Sequence, residues 1–200
     1  QVGDNLGEFV TISGDGSVVS CGTTRPTGSK NPYVFTYRYG TTWTKFHTYT
    51  EPIKLGNNIV KKQFSGSLNF NGSRLLLGVP VNNYTTGAVF LYDTEEDEKL
   101  VSIVGEQVGD NIGQSVRLSG DGSRFVLGDV TGGCVKIYSE DKTTRVWNQQ
   151  GNKISEGYGG TAVDLSYDGT TVTYSAMSTA NKGTVYQYRW DGTFWMPSLS

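Results

Sequence analysis

The 200-residue sequence predicts an all-β protein assembled from four copies of one unit. Three observations carry that prediction. A turn centred on Asp-Gly or Asn-Gly recurs at Asp15-Gly16, Asn71-Gly72, Asp121-Gly122 and Asp168-Gly169. The residues around it alternate, as in Val116-Arg117-Leu118 and Val163-Asp164-Leu165, which turns one face of a strand to a core and the other to water. No stretch sustains a helical period with caps at its ends.

The turn glycines set the length of the unit: 56 residues from Gly16 to Gly72, 50 from Gly72 to Gly122 and 47 from Gly122 to Gly169. The copies occupy residues 1–56, 57–106, 107–154 and 155–200, within a single domain. A marker stands nine residues before each turn glycine, ahead of the first strand: Gly7, Gln63, Gly113 and Gly160. The Asp-Gly or Asn-Gly pair follows, and it suits a two-residue hairpin of type I′, whose central residues both need positive φ. The second strand is more continuously apolar, as in Arg74-Leu75-Leu76-Leu77 and Arg124-Phe125-Val126-Leu127, and ends six residues after the turn at Gly22, Gly78, Gly128 or Ser175. Such a run fits a strand covered on both faces. The third strand reads Gly87–Tyr92, Gly133–Tyr138 and Gly183–Tyr188, with Pro32 in place of glycine before Tyr33–Tyr37. The fourth carries Trp43, Trp147 or Trp195, a role that Leu100 or Val101 takes in the second copy.

Four-stranded units of about 40–50 residues are the mark of β-propeller blades. One such sheet cannot bury both faces alone, and stacking it on its neighbours does so. Most of the 12 Tyr, 4 Trp and 8 Phe then serve as filler between blades. The 27 glycines match a turn-dense chain, being about twice the ~7% of average usage.

Composition narrows the function classes. Lys and Arg number 17 against 19 Asp and Glu, with a net charge of −2 and no basic cluster, which argues against nucleic acid. No apolar run approaches the ~20 residues of a membrane helix, so no membrane span is expected. The two cysteines, Cys21 and Cys134, fall in different copies and are expected to be unpaired thiols without a Lys or His to activate them. At the start of the chain, Gln1–Gly7 nearly duplicates Gln107–Gly113. A repeat array that continues beyond this segment is expected from that duplication, with a closed four-bladed ring as the rival.

The succession Gly113, Val116-Arg117-Leu118-Ser119-Gly120-Asp121-Gly122, Leu127-Gly128, Gly133–Tyr138 and Trp147–Ile154 resembles FG-GAP-type propeller repeats. These form the heads of integrin α-subunits and occur in many secreted repeat proteins. The four in-phase copies extend the resemblance over the whole chain. It implies a propeller of seven blades in full-length relatives, an extracellular or cell-surface location, and work by binding rather than catalysis. The chain departs from the family in one respect. Integrin-type blades often hold calcium in an Asp-x-Asp-x-Asp-Gly loop, because a hard cation needs several oxygens. Ser13-Gly14-Asp15-Gly16 and its counterparts offer one carboxylate each, so no cofactor and no metal is expected. The turns are not sialidase-type Asp boxes either, since glycine directly follows the Asp.

Little else invites catalysis. His47, in Lys45-Phe46-His47-Thr48-Tyr49, is expected to point to solvent, and Glu95-Glu96-Asp97-Glu98 to form a solvated loop. No catalytic residue is assigned, and the chain is not expected to be an enzyme. Two sequons, Asn71-Gly72-Ser73 and Asn83-Tyr84-Thr85, are candidate glycosylation sites if the chain is secreted, with Asn83 the better acceptor. Ligand contacts are expected in the irregular loops, around Thr24 and Arg25, around Asn82, Asn83 and Tyr84, and around Asn181 and Lys182. The leading expectation is an extracellular module binding protein or glycan partners, further blades or copies of itself included. The alternative is a structural subunit of a filament, wall or surface assembly; an enzyme with its site on other blades ranks third.

Overall fold

The computed structural model describes residues 6–23, 33–50, 64–80, 86–107, 110–156, 158–177 and 183–199. Four antiparallel sheets follow one another, each made of four consecutive strands. Blade 1 contains β1 (Leu6–Ile12), β2 (Val18–Thr23), β3 (Tyr33–Tyr39) and β4 (Trp43–Tyr49). Blade 2 contains β5 (Ser65–Leu68), β6 (Arg74–Val79), β7 (Ala88–Asp93) and β8 (Glu98–Val104). Blade 3 contains β9 (Val116–Leu118), β10 (Arg124–Asp129), β11 (Cys134–Glu140) and β12 (Trp147–Gln149). Blade 4 contains β13 (Tyr158–Leu165), β14 (Thr171–Met177), β15 (Gly183–Trp190) and β16 (Trp195–Leu199). No helix of the described residues is long and apolar enough to cross a membrane.

The blades stack in chain order, β1 touching β5, β5 touching β9 and β9 touching β13. These first strands lie innermost, and each blade has a forward face towards the next blade and a back face towards the preceding one. Between blades 1 and 2 the core holds Val18, Val34 and Tyr49 against Leu75, Leu77 and Phe90. Between blades 2 and 3, Leu76 and Leu91 meet Phe125 and Leu127, with Leu100, Val101 and Trp147 packed alongside. Between blades 3 and 4, Val126 and Ile137 meet Val172, Tyr174 and Tyr188. Aromatic stacks reinforce these cores, with Phe125 and Tyr138 at 5.1 Å and Tyr174 and Tyr186 at 5.4 Å.

The repeated glycines mark where two blades touch. A Cβ on Gly78 would lie 2.1 Å from the Gly113 carbonyl oxygen, and one on Gly128 would lie 1.9 Å from that of Gly160. The glycine six residues after one turn therefore abuts the glycine nine residues before the next. Gly113 and Gly160 also take φ of 86° and 91°, open to glycine at little cost. Around the inner strands short side chains tie blade to blade. Thr11 accepts the Leu68 amide, and Ser67, at the corresponding position, accepts the Leu118 amide. In blade 3 the same position is Arg117, which pairs with Asp164 of blade 4 at 3.1 Å.

Two expectations are corrected here. The Asp-Gly turns are not type I′. Only their glycines are left-handed (φ 67–75°), while Asp15, Asn71, Asp121 and Asp168 are not. The glycine amide closes each turn onto the residue three before it, as Gly16 does onto the Ser13 carbonyl at 2.9 Å. This is a longer loop, in which a right-handed turn is followed by a left-handed glycine. The Asp side chain replaces the conformational role that was expected of its backbone: it accepts the amide of the residue after the glycine.

His47 does not point to solvent. A bulge between β3 and β4 sets Tyr37 against Lys45 but Thr36 against His47, so Phe46 is the extra residue and the alternation breaks. His47 thereby joins the forward face, where its Nε2 donates to the Thr94 carbonyl of blade 2 at 2.7 Å. Asp97 lies 3.4 Å from its Nδ1. The acidic run is an exposed turn, as expected, and Glu95 in it forms an ion pair with Arg38, so this hairpin end also touches blade 1.

The glycine contacts yield a stability prediction. Gly128→Ala drives a methyl into the backbone of the neighbouring blade, and an overpacking cost of about 2–3 kcal/mol is expected. Gly40→Ala, where a Cβ meets nothing within 4 Å, should leave the urea midpoint within experimental error. Equal midpoints for the two variants would contradict this account of the junction.

Candidate functional site

The four repeated turns join the first and second strand of each blade and therefore collect at one end of the stack, around the inner strands. Each is internally satisfied. In the first, the Ser13 hydroxyl accepts the Val18 amide at 2.9 Å and donates to Asp15 at 2.7 Å, while Asp15 also accepts the Ser17 amide and hydroxyl. Ser119–Asp121–Ser123 and Ser166–Asp168–Thr170 repeat this pattern. Asn69–Asn71–Ser73 repeats it with amides.

Bonds from hydroxyl and amide donors stabilise the carboxylate form. The Ser166 hydroxyl, followed by the Thr170 amide and hydroxyl, holds Asp168 at about 2. The Ser13 hydroxyl does the same for Asp15, with Ser17 assisting, and keeps it below its usual range. For Asp121 partial burial pushes upward, but the Ser123 amide and hydroxyl and the Ser119 hydroxyl outweigh it, so its carboxyl is also lowered. The turn end of the stack thus presents three ionised carboxylates.

The turns are also bonded to one another. The Asp15 amide donates to the Phe70 carbonyl at 2.9 Å, the Phe70 amide to the Gly120 carbonyl at 2.9 Å, and the Gly120 amide to the Tyr167 carbonyl at 2.7 Å. Arg74 and Arg124 extend the same linkage, donating to the carbonyls of Gly122 and Asp168 in the following blade. Arg74 is further fixed by Glu140, a nearly buried carboxylate, at 2.7 Å.

One position in this rigid ring varies. The residue before each Asp or Asn reads Gly14, Phe70, Gly120 and Tyr167, so glycine alternates with an aromatic. The rings lie on the glycines. A Cβ on Gly14 would fall 2.4 Å from the Phe70 ring, and one on Gly120 would fall 2.1 Å from the Tyr167 ring. Phe70 and Tyr167 meet edge to face at 5.7 Å across the turn of blade 3. They remain 46% and 64% exposed. Two adjoining aromatic rings on a hydrogen-bonded base, bordered by Asp15, Asp121 and Asp168, make a platform suited to a partner with an apolar face and hydrogen-bond donors. Residue types alone did not reveal it. The available signal was the alternation of Gly and aromatic at one repeat position.

The ligand-contact residues expected from sequence, Thr24, Arg25, Asn82, Asn83, Tyr84, Asn181 and Lys182, lie outside the described residues. Asn71 is described: it borders the platform, with its Oδ1 accepting from Asn69 and Ser73. A shallower hollow of about 200 Å³ lies beside β16, between Glu156, Tyr188, Phe194 and Trp195. Its carboxylate accepts the Tyr188 hydroxyl at 3.2 Å. Cys21 and Cys134 are free thiols in separate blades. Contrary to the sequence reading, Cys134 does have a lysine nearby. Lys136 bonds Asp129 at 3.2 Å, but burial first and Asp129 second push the thiol up despite it. Among the described residues no cluster of His, Cys, Asp and Glu could hold a metal ion.

The stacked sheets and their central turns define a β-propeller protein. No protein-family model and no curated protein sequence matches the chain. Solved structures do. TolB from Acinetobacter baumannii superposes with a TM-score of 0.58 at 14% identity, over 97% of this chain and 43% of its own. Hydrazine synthase from Kuenenia stuttgartiensis superposes with a TM-score of 0.57 at 16% identity, over 93% of this chain and 46% of its own. Both neighbours are propeller proteins, and at such identities the likeness is one of fold. The chain spans less than half the length of either.

The carboxylate network gives a pH prediction. Groups lowered in the folded state stabilise it above their usual value of 3.8 and cease to do so as pH falls through the folded value, about 2 for Asp168. Melting temperature should therefore decline between about pH 4 and pH 2. That decline should be shallower in Asp168→Asn, whose amide does not titrate. An unchanged slope would show that the turn contributes nothing to acid stability.

Proposed function

We propose that the chain is a non-catalytic binding module of the FG-GAP type, working outside the cell, which engages a protein or glycan partner at the turn end of its propeller. The observation that supports this is the exposed pair Phe70 and Tyr167 on a base that hydrogen bonds make rigid. Large aromatics lose little conformational entropy when a partner covers them, and here the glycines beneath have already fixed the rings. The ionised rim favours partners with hydroxyl, amide or cationic groups and disfavours anionic polysaccharides and nucleic acid. A protein segment carrying an apolar residue beside Lys or Arg fits the platform, and so does the CH-rich face of a neutral sugar. The extracellular location and the FG-GAP assignment rest on the repeat resemblance. A glycan on Asn71 would stand over the platform, which leaves Asn83 as the acceptor compatible with binding there.

The test is a panel of immobilised neutral and acidic glycans and of basic and acidic peptides. It is probed with the wild-type chain and with Phe70→Ala/Tyr167→Ala, folding being checked by circular dichroism. Binding to at least one neutral glycan or basic peptide is expected, falling tenfold or more in the double variant, which is about 1.4 kcal/mol. Equal binding by the folded double variant would remove the platform from consideration. A wild-type chain that binds nothing on the panel would count against the binding-module reading itself.

A further inference from the structure

We infer that the hollow between the end of blade 3 and β16 is a second binding site, and that it takes a single neutral sugar ring. The hollow follows from a departure of blade 3 from the repeat. Where the fourth strand pairs with the third, blades 1, 2 and 4 each carry one extra residue: Phe46, Leu100 and Ser198. In blade 3, Tyr138 faces Gln149 and Val135 faces Ile154, so the four residues 150–153 oppose only two. Bulges bend a strand and are over-represented beside functional sites. Here Asn152, Lys153 and Ile154 become one wall of a cavity of about 200 Å³, and Tyr188, Phe194 and Trp195 of blade 4 form the other.

The walls are fixed before any ligand arrives. Gly151 takes a φ of 71°, and a Cβ there would lie 3.0 Å from the Trp190 ring and 3.2 Å from that of Trp195, so the bulged main chain rests on the two indoles. The Trp195 indole N–H donates to the Gln150 carbonyl, and the Gln149 side-chain amide donates to the Gly151 carbonyl, both at 3.0 Å. Glu156 is held at both ends. Its amide donates to the Tyr174 hydroxyl and its carboxylate accepts from the Tyr188 hydroxyl, each at 3.2 Å. Both tyrosines are buried. That burial holds their phenols above the ordinary range, so each keeps its proton.

The groups left unpaired define the ligand. Among the described residues neither the second carboxylate oxygen of Glu156 nor the Lys153 ammonium has a hydrogen-bond or ion-pair partner. One negative and one positive group in the same hollow oppose a simple anion and a simple cation alike, and an uncharged ligand meets no net charge. A free acceptor beside a free donor suits a molecule that bears both. The Phe194 ring, 55% exposed, suits an apolar face. A pyranose combines these features, with hydroxyls along its edge and C–H groups on its face. Hydrogen bonds to Glu156 and Lys153 gain from the charge of the protein group, and the pinned carboxylate loses little freedom on binding. The volume falls below the ~300–1,000 Å³ of sites for drug-sized molecules, which limits the ligand to one ring, free or at the end of a glycan. The hollow shares no residue with the Phe70–Tyr167 platform, and the inference stands without it.

Titration of the chain by NMR with glucose, galactose, mannose and N-acetylglucosamine tests it, with leucine and arginine as charged comparisons. At least one sugar should bind saturably, with a Kd on the order of 1 mM for so small a ligand. Glu156→Gln keeps the shape of the hollow and removes its negative charge, and Phe194→Ala removes an exposed ring. Each should weaken binding about fivefold or more, with folding verified by circular dichroism. Phe70→Ala/Tyr167→Ala should leave this binding unchanged. A sugar held at the platform would show the reverse pattern, lost in Phe70→Ala/Tyr167→Ala and kept in Glu156→Gln, and that result would overturn the proposal. So would the absence of saturable binding by any of these sugars, or tighter binding of leucine or arginine than of every sugar.

Discussion

The approach of backbone to backbone where blade 2 meets blade 3 and blade 3 meets blade 4 is the constraint on which much of the structure depends. Gly78 lies against Gly113 and Gly128 against Gly160 so closely that a single methyl would collide with a carbonyl. That separation places the inner strands near enough for Ser67 to reach an amide of the next blade. It also sets the turns within hydrogen-bond range of one another. Were the blades held an ångström or two further apart, the short hydroxyl links would open first. The apolar cores between blades would then lose contacts that fall off steeply with distance.

The turns add a second level of rigidity that is independent of the cores. Every Asp or Asn in them accepts from its own neighbours, so each loop is finished before it meets another. The polar side chains that look most available for ligand binding in the sequence are therefore already engaged in folding. What remains variable is the residue between the capping Ser or Asn and the Asp or Asn. Because Gly14 and Gly120 offer flat backbone, Phe70 and Tyr167 can lie across them instead of standing out into solvent. The platform is a product of two residue types at one repeat position, and neither type alone would give it.

The repeat itself was legible in the sequence because glycine spacing reports backbone approach, and backbone approach is what stacks blades. The four strands of each unit, their order and their turns were readable for the same reason. The turn type was not, since Asp-Gly serves both a two-residue hairpin and a longer loop, and the choice lies with the hydroxyls of Ser13 and Ser17. His47 was misplaced because a single bulged residue, Phe46, reverses the alternation that assigns faces, and nothing local to Lys45–Tyr49 announces the bulge. The acidic run is solvated as its charges imply, but its partners Arg38 and His47 lie some fifty residues away in the preceding blade and could not be read locally. The platform escaped because each member is unremarkable in its own copy. It becomes visible only when the turns are aligned and the same column is compared across blades.

The three junctions all carry a main-chain bond between their turns but differ in chemistry. Blade 1 meets blade 2 through Ser20, Thr36 and His47 as well as valines; blade 2 meets blade 3 through leucines and phenylalanine; blade 3 meets blade 4 through stacked tyrosines. A geometry carried by glycines and main-chain bonds leaves the filling free to change, provided that volume is kept. This accounts for a fold shared with structures at 14% and 16% identity. In a stack whose glycines, capping hydroxyls and amide ladder are all structural, only side chains that the junctions do not use can differ from one propeller to another without loss of the fold. Phe70 and Tyr167 at the turn end are apolar residues of that kind.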